Sequence, residues 1–250
     1  MPWTIASDID GTLTGDDNAL QDLGRRLSRA RNDGLFLILC TGRRLDQVTS
    51  GFVHEHLPTP DAIITQVGTE IYLPPFTDGP MTAWDDLLRQ HYDRNTALAM
   101  VDDIAGIRLQ EELFNTPLKT SFYLDRVEDP EAAAATIIAR AQSYGDYQAV
   151  WSSGRDLDIL PALSGKGKAV RFLVEHLERD AQQVAVAGDT GNDIAMFAEF
   201  GCGVVVANAR DELLAWVGDH PQPRIIVASR PYAAGVSEGL EQLGVLPPES

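Results

Sequence analysis

The chain has 250 residues, of which 44% are hydrophobic and 23% are charged, so a buried core is expected and disorder is not. This length predicts one large domain or a domain that carries an insertion. The 20 basic residues stand against 37 acidic ones. The resulting net charge of −17 excludes nucleic acids and anionic membranes as expected partners, because both require a basic surface.

Cysteine usage and hydropathy predict a cytoplasmic protein. Cys40 and Cys202 lie in apolar segments, and we expect buried, reduced thiols rather than a disulfide. No apolar run of the sequence approaches the ~18–20 residues that cross a bilayer. The first residues lack the basic and apolar regions of a secretory signal.

The first part of the chain alternates between predicted strands and helices. Its segment 35–40 is continuously apolar, as in a strand that is buried on both faces of a parallel sheet. We predict strands over 3–7, 35–40, 62–65 and 69–73, and helices over 18–32 and 45–54.

The pattern changes after Pro74-Pro75 and the turn Asp78-Gly79-Pro80. The following segment mixes helices with strands that do not alternate regularly. We predict helices over 81–105 and 130–143 and strands over 119–124, 147–151 and 157–160.

From Lys166 the alternation of the first part returns. We predict helices over 166–178, 191–198, 211–217 and 234–243, and strands over 184–187, 203–206 and 224–227. The predicted fold is therefore α/β. Residues 1–77 and 156–250 form a doubly wound, mostly parallel, Rossmann-like sheet domain, and residues 78–155 form an inserted α+β cap domain.

Polar motifs follow the predicted strands, where doubly wound sheets bind their ligands. The segment Asp8-Ile9-Asp10-Gly11-Thr12 follows the first strand, and Thr41-Gly42-Arg43 follows the second. Gly188-Asp189-Thr190-Gly191-Asn192-Asp193 follows a later strand, and Lys166 begins the helix before that strand. We expect these groups to meet at one edge of the sheet.

The residue types at this edge indicate phosphoryl transfer. Asp8, Asp10, Asp189 and Asp193 would bring up to four carboxylates together, which favours Mg²⁺ or Ca²⁺. A metal ion, an oxyanion site and a free carboxylate together are suited to the transfer of a phosphoryl group to an aspartate nucleophile. Each motif alone fits a solvated turn, but all of them in order do not. The groups suited to a tetrahedral oxyanion are Thr41, Lys166, Asn192 and the backbones of Gly11 and Gly42.

These motifs resemble the four motifs of the haloacid dehalogenase-like phosphatases, in the subgroup with a large α/β cap. The chain is most similar to the sucrose-phosphate phosphatases, although it carries Gly11 where those proteins often have Asn. The similarity runs through SDIDGTLTGD, QVGTEIY, LKTSFYL, WSSGRDLDILP, SGKGKAV and GDTGNDIAMF.

The resemblance implies a role for each motif residue. Asp8 would be the nucleophile, and Asp10 would be the general acid and base, with its backbone carbonyl as a metal ligand. Asp8 and Asp189 would bind Mg²⁺ directly, and Asp193 would do so directly or through water. The phosphoryl group would be held by Thr41, Lys166 and Asn192.

A second set of residues is expected to select the substrate. Gly11, Gly42 and Arg43 belong to the phosphate loops, and Lys168 points away from Lys166 and is expected to be solvated. Each remaining candidate also fits a structural role: a turn, an edge-strand lysine or solvated carboxylates. These candidates are Gln66, Gly68, Thr69 and Glu70 after the third strand, Lys119 and Ser121 on one face of a cap strand, and Asp156 and Asp158, which share a face where the chain returns to the first domain. The last four residues would form one polar face that could bind a sugar.

The leading hypothesis is a Mg²⁺-dependent phosphatase that converts sucrose 6-phosphate to sucrose and phosphate. The first alternative is another glycosyl phosphate, such as mannosylfructose phosphate or glucosylglycerol phosphate. A phosphomannomutase-like enzyme would need a second phosphate site in the cap, where Lys119 is the only lysine. A non-catalytic sugar-phosphate-binding subunit would not need Asp8. We expect a monomer, with a sucrose-phosphate synthase-like enzyme as the candidate protein partner.

Overall fold

The computed structural model describes residues 2–248. The chain divides into two compact units, one made of residues 2–80 and 166–248 and the other of residues 81–165. Each unit has its own sheet, and the two are described separately below. The fold is α/β with a mostly parallel principal sheet, as predicted.

The first unit is built on a seven-stranded sheet in the order β11-β10-β9-β1-β2-β3-β4. All neighbouring strands are parallel except the β3–β4 pair. Its strands are β1 (Thr4–Ser7), β2 (Phe36–Cys40), β3 (Ala62–Thr65), β4 (Glu70–Tyr72), β9 (Val184–Gly188), β10 (Cys202–Val205) and β11 (Arg224–Val227). Its helices are α1 (Asp17–Arg31), α2 (Leu45–His54), α6 (Lys166–His176), α7 (Ile194–Phe200), α8 (Asp211–Asp219) and α9 (Tyr232–Gln242).

The strand register places the polar motifs side by side. Strand β1 pairs with β2 on one side and with β9 on the other, with Ser7 opposite Leu39 and Ala187. These strands are buried on both faces because helices cover both sides of a parallel sheet. The loops that follow three adjacent strands therefore share one edge of the sheet.

The second unit contains a four-stranded antiparallel sheet in the order β5-β6-β8-β7. One face is apolar, and Phe122, Leu157 and Ile159 pack there against residues of α4 and α5 such as Ala97 and Ile137. The opposite face carries the polar residues of alternate positions. The strands are β5 (Arg108–Leu109), β6 (Thr120–Tyr123), β7 (Tyr147–Ser152) and β8 (Asp156–Pro161), and the helices are α3 (Thr82–Arg89), α4 (Arg94–Ala99) and α5 (Pro130–Tyr144).

Three details differ from the sequence-based expectations. The segment 156–161, predicted to begin the return to the first domain, is strand β8 and pairs with β6 and β7, so the second unit continues to residue 165. The predicted helix 81–105 is two shorter helices, α3 and α4. Strand β5 was not predicted, because its two residues are too few to show a periodic pattern.

Two other expectations concern cysteines and membranes. Cys40 and Cys202 are buried free thiols, as predicted. Among the helices of residues 2–248, none combines the length and the apolar character needed to cross a bilayer.

Candidate active site

Three buried carboxylates meet at the carboxyl ends of β1 and β9. Asp8 follows β1 directly, Asp189 follows β9, and Asp193 lies one turn further along the chain. Each contributes an oxygen to a group in which all the oxygens lie within 4.8 Å of one another. Three of the four predicted acids are therefore brought together, and the cluster belongs entirely to the first unit.

Lys166 supplies the positive charge at this cluster. The first residue of α6, it is fully buried, and its Nζ donates to Asp8 Oδ1 and Asp193 Oδ1, each at 2.7 Å. The second oxygen of Asp193 accepts hydrogen bonds from the backbone N–H groups of Asp189 and Thr190. Both oxygens of Asp193 thus accept hydrogen bonds, one from Lys166 and one from the loop backbone, whereas Asp8 contacts the lysine through Oδ1.

The electrostatics of the cluster favour a cation. Burial and the neighbouring Asp193 carboxylate raise the pKa of Asp189 to about 7. Burial also raises the pKa of Asp8, and Lys166 only partly opposes this. For Lys166, burial alone would lower the pKa, but Asp193 and Asp8 outweigh it and raise the pKa above its usual value. Three buried acids against one ammonium leave an excess of negative charge for a hard cation to neutralise.

This imbalance predicts how stability depends on pH once metal is chelated. Asp8 and Asp189 hold protons in the folded state at pH values where an ordinary aspartate, with a pKa of 3.8, has lost its proton. The folded state then binds more protons than the unfolded state, so the free energy of unfolding should fall as the pH rises from about 4 to about 8. Urea unfolding in EDTA at several pH values measures this, and Asp189→Asn should flatten the curve. A stability that rises through this window in the wild type would contradict the prediction.

The first loop is fixed against Asp189. Gly11 has φ +78°, and a Cβ at this position would lie 2.4 Å from Asp189 Oδ2, so glycine is favoured here unless the Asp189 side chain shifts. Thr12 Oγ1 donates to Asp189 Oδ1 at 3.2 Å. Asn208 Nδ2 donates to the Gly11 carbonyl at 2.7 Å, and Asn208 Oδ1 accepts from the backbone N–H of Tyr232. The predicted phosphate loop is therefore held from both sides.

The loop after β2 (residues 41–43) is joined to the loop after β3 (residues 66–68) by backbone hydrogen bonds. Thr41 is buried, and its Oγ1 accepts from the backbone N–H of Arg43, while Gly42 beside it is exposed. The backbone N–H groups of Gln66 and Val67 donate to the carbonyls of Arg43 and Thr41. Gln66 and Val67 have φ values of +52° and +59°, which is a strained conformation for residues other than glycine.

Two buried amide oxygens lack partners. Within residues 2–248, neither Gln66 Oε1 nor Asn192 Oδ1 has a hydrogen-bond partner. Both residues were predicted as site residues. Because buried polar atoms are normally satisfied in native proteins, unpaired acceptors beside the predicted loops are suited to a bound ligand.

Asp10 does not join the buried cluster through its side chain. Its carboxylate is largely exposed and accepts two hydrogen bonds from Arg43, at 2.9 and 2.6 Å. Arg43 was predicted to contact substrate, but its guanidinium also donates to both oxygens of Glu55, at 2.8 Å each. Arg43 is thus engaged by two acids of its own unit.

The other predicted residues after β3 are held internally. Glu70 Oε2 accepts from Thr65 Oγ1 at 2.7 Å and from the Tyr72 hydroxyl at 3.0 Å. Thr69 Oγ1 donates to the Gln66 carbonyl. Gly68 is buried with φ +91°. Thr69 and Glu70 therefore stabilise this turn, whichever ligand it binds.

In the second unit, Lys119, Ser121 and Asp158 come together on the polar face of the sheet. Ser121 lies opposite Asp158 in the register and donates to Asp158 Oδ1 at 2.5 Å. The Lys119 ammonium is buried and lies 3.6 Å from the same oxygen, which is longer than a hydrogen bond. Asp156 shares this face but is bonded to Gln110 and Arg155. The predicted shared face is present, and three of its four residues are in contact.

Three residues that shape these sites were not predicted. Asn208 follows β10, so the rule that located the other loops could have found it. Asn115 accepts from the Ser121 backbone N–H, but it comes from an irregular loop without a sequence signal. Glu55 caps the C-terminus of α2, and no sequence signal indicates its contact with Arg43. Lys168 is exposed, as predicted.

A family model described as sucrose-6F-phosphate phosphohydrolase matches residues 1–244. Mannosylfructose-phosphate phosphatase from Agrobacterium fabrum is 36% identical over 248 residues, which is 97% of each chain. Sucrose-phosphatase 2 from Nicotiana tabacum is 30% identical over 94% of this chain, but the match covers 58% of the tobacco protein. The chain thus spans a little over half of that relative.

Solved structures agree with the sequence relatives. The sucrose-phosphatase from Synechocystis sp. PCC6803, in complex with sucrose and phosphate, is 32% identical and has a TM-score of 0.91 over 99% of this chain and 100% of that chain. A haloacid dehalogenase-like hydrolase protein from Bacillus subtilis, at 18% identity and a TM-score of 0.67 over 98% of this chain and 93% of that one, shows the fold alone. The family model covers nearly the whole chain, and this chain therefore belongs to the sucrose-6F-phosphate phosphohydrolase family.

Proposed function

We propose that this chain is a Mg²⁺-dependent phosphatase that hydrolyses a phosphorylated disaccharide, with sucrose 6-phosphate as the leading substrate. The observation that carries the proposal is the buried cluster of Asp8, Asp189 and Asp193 around Lys166. Membership of the family places the chain among the phosphoric monoester hydrolases. The relatives' names add the class of sugar phosphate.

Asp8 is the proposed nucleophile. Lys166 holds Asp8 Oδ1, which fixes the carboxylate and leaves Oδ2 to attack phosphorus. The bond between phosphorus and the sugar oxygen breaks as the bond to Asp8 forms, and an aspartyl phosphate results. Water then attacks this phosphorus, which restores the Asp8 carboxylate and releases phosphate.

Asp10 is the proposed acid and base for these two steps. It gives a proton to the departing sugar oxygen and later accepts one from the attacking water, so no proton is gained or lost over the cycle. Its side chain lies outside the buried cluster, next to solvent, where it can exchange protons. Gly11 and Thr12 follow Asp10 and lie against Asp189, to which Thr12 donates, so the backbone at Asp10 is anchored beside the cluster.

Phosphoryl oxygens would be held by Thr41, Lys166 and the Asn192 amide. An ammonium has three N–H donors, and two on Lys166 serve Asp8 and Asp193, so the third is suited to a phosphoryl oxygen. The excess of buried carboxylates fits a Mg²⁺ ion held by Asp8, Asp189 and the Asp10 carbonyl, which would supply neutralising charge at the phosphoryl group. Asp193 supports this site through its bonds to Lys166 and two backbone amides.

The polar face of the second unit is the proposed sugar-recognition surface. Among residues 2–248, the contact of the Lys119 ammonium is the long one with Asp158, so its N–H groups are suited to sugar hydroxyls. Carboxylates such as Asp158 accept hydrogen bonds from the same class of hydroxyl. We propose that this face, with Asp156 at its edge, recognises the sugar. The turn Gln66–Gly68 of the first unit is proposed separately as a ligand contact, because Gln66 Oε1 is buried without a partner among residues 2–248.

Mannosylfructose phosphate is the second candidate substrate, because a phosphatase named for it is 36% identical over nearly the full length of both proteins. The comparison that tests the proposal is phosphate release from sucrose 6-phosphate and from mannosylfructose phosphate at equal concentrations, with the sugar product identified. Turnover of one at a kcat/KM at least tenfold above the other assigns the substrate. No phosphate release from either would overturn the proposal.

The proposal also includes the setting of the enzyme. We propose a monomer that acts in the cytoplasm, in keeping with its two free thiols. A sucrose-phosphate synthase-like enzyme, which would supply the substrate, is the proposed partner. Light scattering of the purified chain tests the monomer.

Lys119→Met should weaken recognition of the sugar. The variant keeps the length and the apolar stem of the side chain but removes the ammonium. Because the sugar hydroxyls then lose a charged hydrogen-bond donor, kcat/KM for the disaccharide phosphate should fall by about 10- to 100-fold. The kcat/KM for p-nitrophenyl phosphate should change less than twofold, because Lys119 is not assigned to the phosphoryl site. Lys168→Met, at an exposed lysine of the first unit, is the matched control. Equal losses on both substrates would show that Lys119 is structural.

A further inference from the structure

Arg43 bridges two carboxylates that come from different parts of the first unit. Its Nε and Nη2 donate to Asp10 Oδ2 and Oδ1 at 2.9 and 2.6 Å. Its Nη1 and Nη2 donate to Glu55 Oε1 and Oε2, each at 2.8 Å. Both contacts are two-pronged, which is the strongest geometry for an arginine and a carboxylate. We call this arrangement the Asp10–Arg43–Glu55 bridge.

The Glu55 end of the bridge is anchored. Glu55 is the residue that ends α2, and its backbone N–H donates to the Gly51 carbonyl at 3.0 Å. Leu57 is buried and donates to the same carbonyl. A Cβ at Gly51 would lie 2.5 Å from Leu57 Cδ1 and 3.5 Å from Arg43 Nη1, so helix, leucine and arginine are in close contact. Glu55 therefore holds the guanidinium from a packed position.

Arg43 is fixed as well. Its backbone N–H donates to Thr41 Oγ1 at 3.1 Å, and its carbonyl accepts from the Gln66 N–H at 3.1 Å. Its side chain is 15% exposed. Hydrogen bonds to its backbone thus fix the position of Arg43, and the bonds to two carboxylates fix the orientation of its guanidinium.

The Asp10 end is the one that is free to move. The Asp10 side chain is 60% exposed, compared with 38% for Glu55. Asp10, Arg43 and Glu55 all line an open cavity of about 530 Å³, and the larger exposed fraction of Asp10 places more of its side chain in contact with solvent. If one contact of the bridge opens, the exposure and packing favour release of Asp10 while Arg43 stays with Glu55.

Occupation of both Asp10 oxygens matters for the proposed chemistry. A carboxylate held on both oxygens by a guanidinium is an acceptor only, whereas the proposed reaction needs Asp10 to donate a proton and then to accept one. Asp10 must therefore leave Arg43, at least with one oxygen, in each turnover. Glu55 makes this departure less costly, because Arg43 keeps a two-pronged carboxylate partner when Asp10 has gone.

We infer that Glu55 is a positioning residue for the reaction, which acts through Arg43 to hold Asp10 in one defined orientation and to release it during catalysis. This inference rests on the proposed role of Asp10 as acid and base. Neither Arg43 nor Glu55 is assigned a contact with the phosphoryl group or with the metal. The two residues determine how readily Asp10 can leave Arg43 and transfer a proton.

Glu55→Gln tests the inference. The substitution preserves shape but removes the charge that competes with Asp10 for Arg43, so Arg43 should retain Asp10. For a disaccharide phosphate, whose leaving oxygen needs a proton, kcat should fall by about tenfold. The first step with p-nitrophenyl phosphate needs no such proton, so the pre-steady-state burst of p-nitrophenol should keep its wild-type rate within twofold.

Asp46→Asn is the matched control. Asp46 accepts two hydrogen bonds from Arg44, the neighbour of Arg43, so the control removes an equivalent arginine-bound carboxylate of α2 without altering the bridge. Its kinetics should be those of the wild type. Glu55→Asp, which keeps the charge, should recover most of the lost kcat. Glu55→Ala also removes the charge and allows the same comparison if Glu55→Gln does not fold.

A double-mutant comparison separates the role inferred for Glu55 from the acid and base role proposed for Asp10. In an Asp10→Asn background, Glu55→Gln should cause no further loss of kcat, because Glu55 acts only through Asp10. A loss that persists in this background, an equal loss of the p-nitrophenol burst, or wild-type kinetics of Glu55→Gln would overturn the inference. If Asp10→Asn alone leaves sugar-phosphate turnover unchanged, the proposed acid and base role fails instead.

Discussion

Replacement of Asp8 by asparagine should abolish turnover. The amide keeps the shape of the carboxylate but cannot attack phosphorus, so kcat should fall by at least about 10⁴-fold, as for other enzymes that lose a nucleophile. Phosphate release from a sugar phosphate, followed for hours at high enzyme concentration, measures the loss. Binding of the sugar phosphate, measured by calorimetry, should persist.

The same variant carries its own stability control. Asp8→Asn removes one of three buried carboxyl groups and leaves Lys166 paired with Asp193. In EDTA the variant should therefore melt at or above the wild-type temperature, because the remaining charges repel less. Loss of activity in a folded protein then reports on chemistry. Asp8→Asn activity above 1% of wild type, or fluoroberyllate bonded to Asp10 rather than to Asp8, would contradict the assignment of the nucleophile.

Removal of divalent metal should have an effect of similar size. The cluster holds three acids against one ammonium, so without a cation it would repel a phosphate dianion. Exhaustive chelation should eliminate phosphate release, and added Mg²⁺ should restore it. At 100 times its dissociation constant, Mg²⁺ should also stabilise the folded protein by about 2.7 kcal/mol, which thermal melting can detect.

Asp189→Asn tests whether the dependence on Mg²⁺ arises at the buried carboxylate cluster. The variant should need much more Mg²⁺ for half-maximal activity and should show a smaller thermal shift with Mg²⁺. Asp46→Asn, an exposed carboxylate of the same unit, is the control and should respond as the wild type does. Full activity after chelation, or an unchanged Mg²⁺ requirement in Asp189→Asn, would contradict the proposed metal site.

The fold of the first unit and the position of its site could be predicted because the signals are local and strong. The apolar run that contains Phe36–Cys40 marks a strand buried on both faces, and helix Leu45–His54 has the predicted bounds. Since parallel strands end at one edge of a sheet, the loops after β1 and β9 had to approach each other. The motif residues Asp8, Asp189 and Asp193 then follow from the topology.

The contacts that orient these residues could not be predicted, because they join distant positions without a sequence pattern. Arg43 was expected to contact substrate, but in the structure its guanidinium is shared between Asp10 and Glu55. Nothing in the sequence indicates that Val67, a β-branched residue, adopts φ +59°. That conformation depends on backbone hydrogen bonds from the neighbouring loop.

The boundary of the second unit was missed for a related reason. Asp156 and Asp158 alternate with apolar residues, and this pattern predicts a strand but not the sheet to which the strand belongs. Pairing with β6 and β7 settles the assignment. The same pairing brings Ser121 and Asp158 into contact, so the expected polar face depends on a strand that was assigned to the other domain.

The most direct test of the central claim compares sugars of different size. With Mg²⁺ present, kcat/KM should be measured for sucrose 6-phosphate, mannosylfructose phosphate, glucose 6-phosphate and fructose 6-phosphate. A monosaccharide phosphate leaves polar groups of the recognition surface unpaired at ~1–3 kcal/mol each, so a disaccharide phosphate should be preferred by at least ~10²-fold. Equal turnover of monosaccharide and disaccharide phosphates would contradict the account.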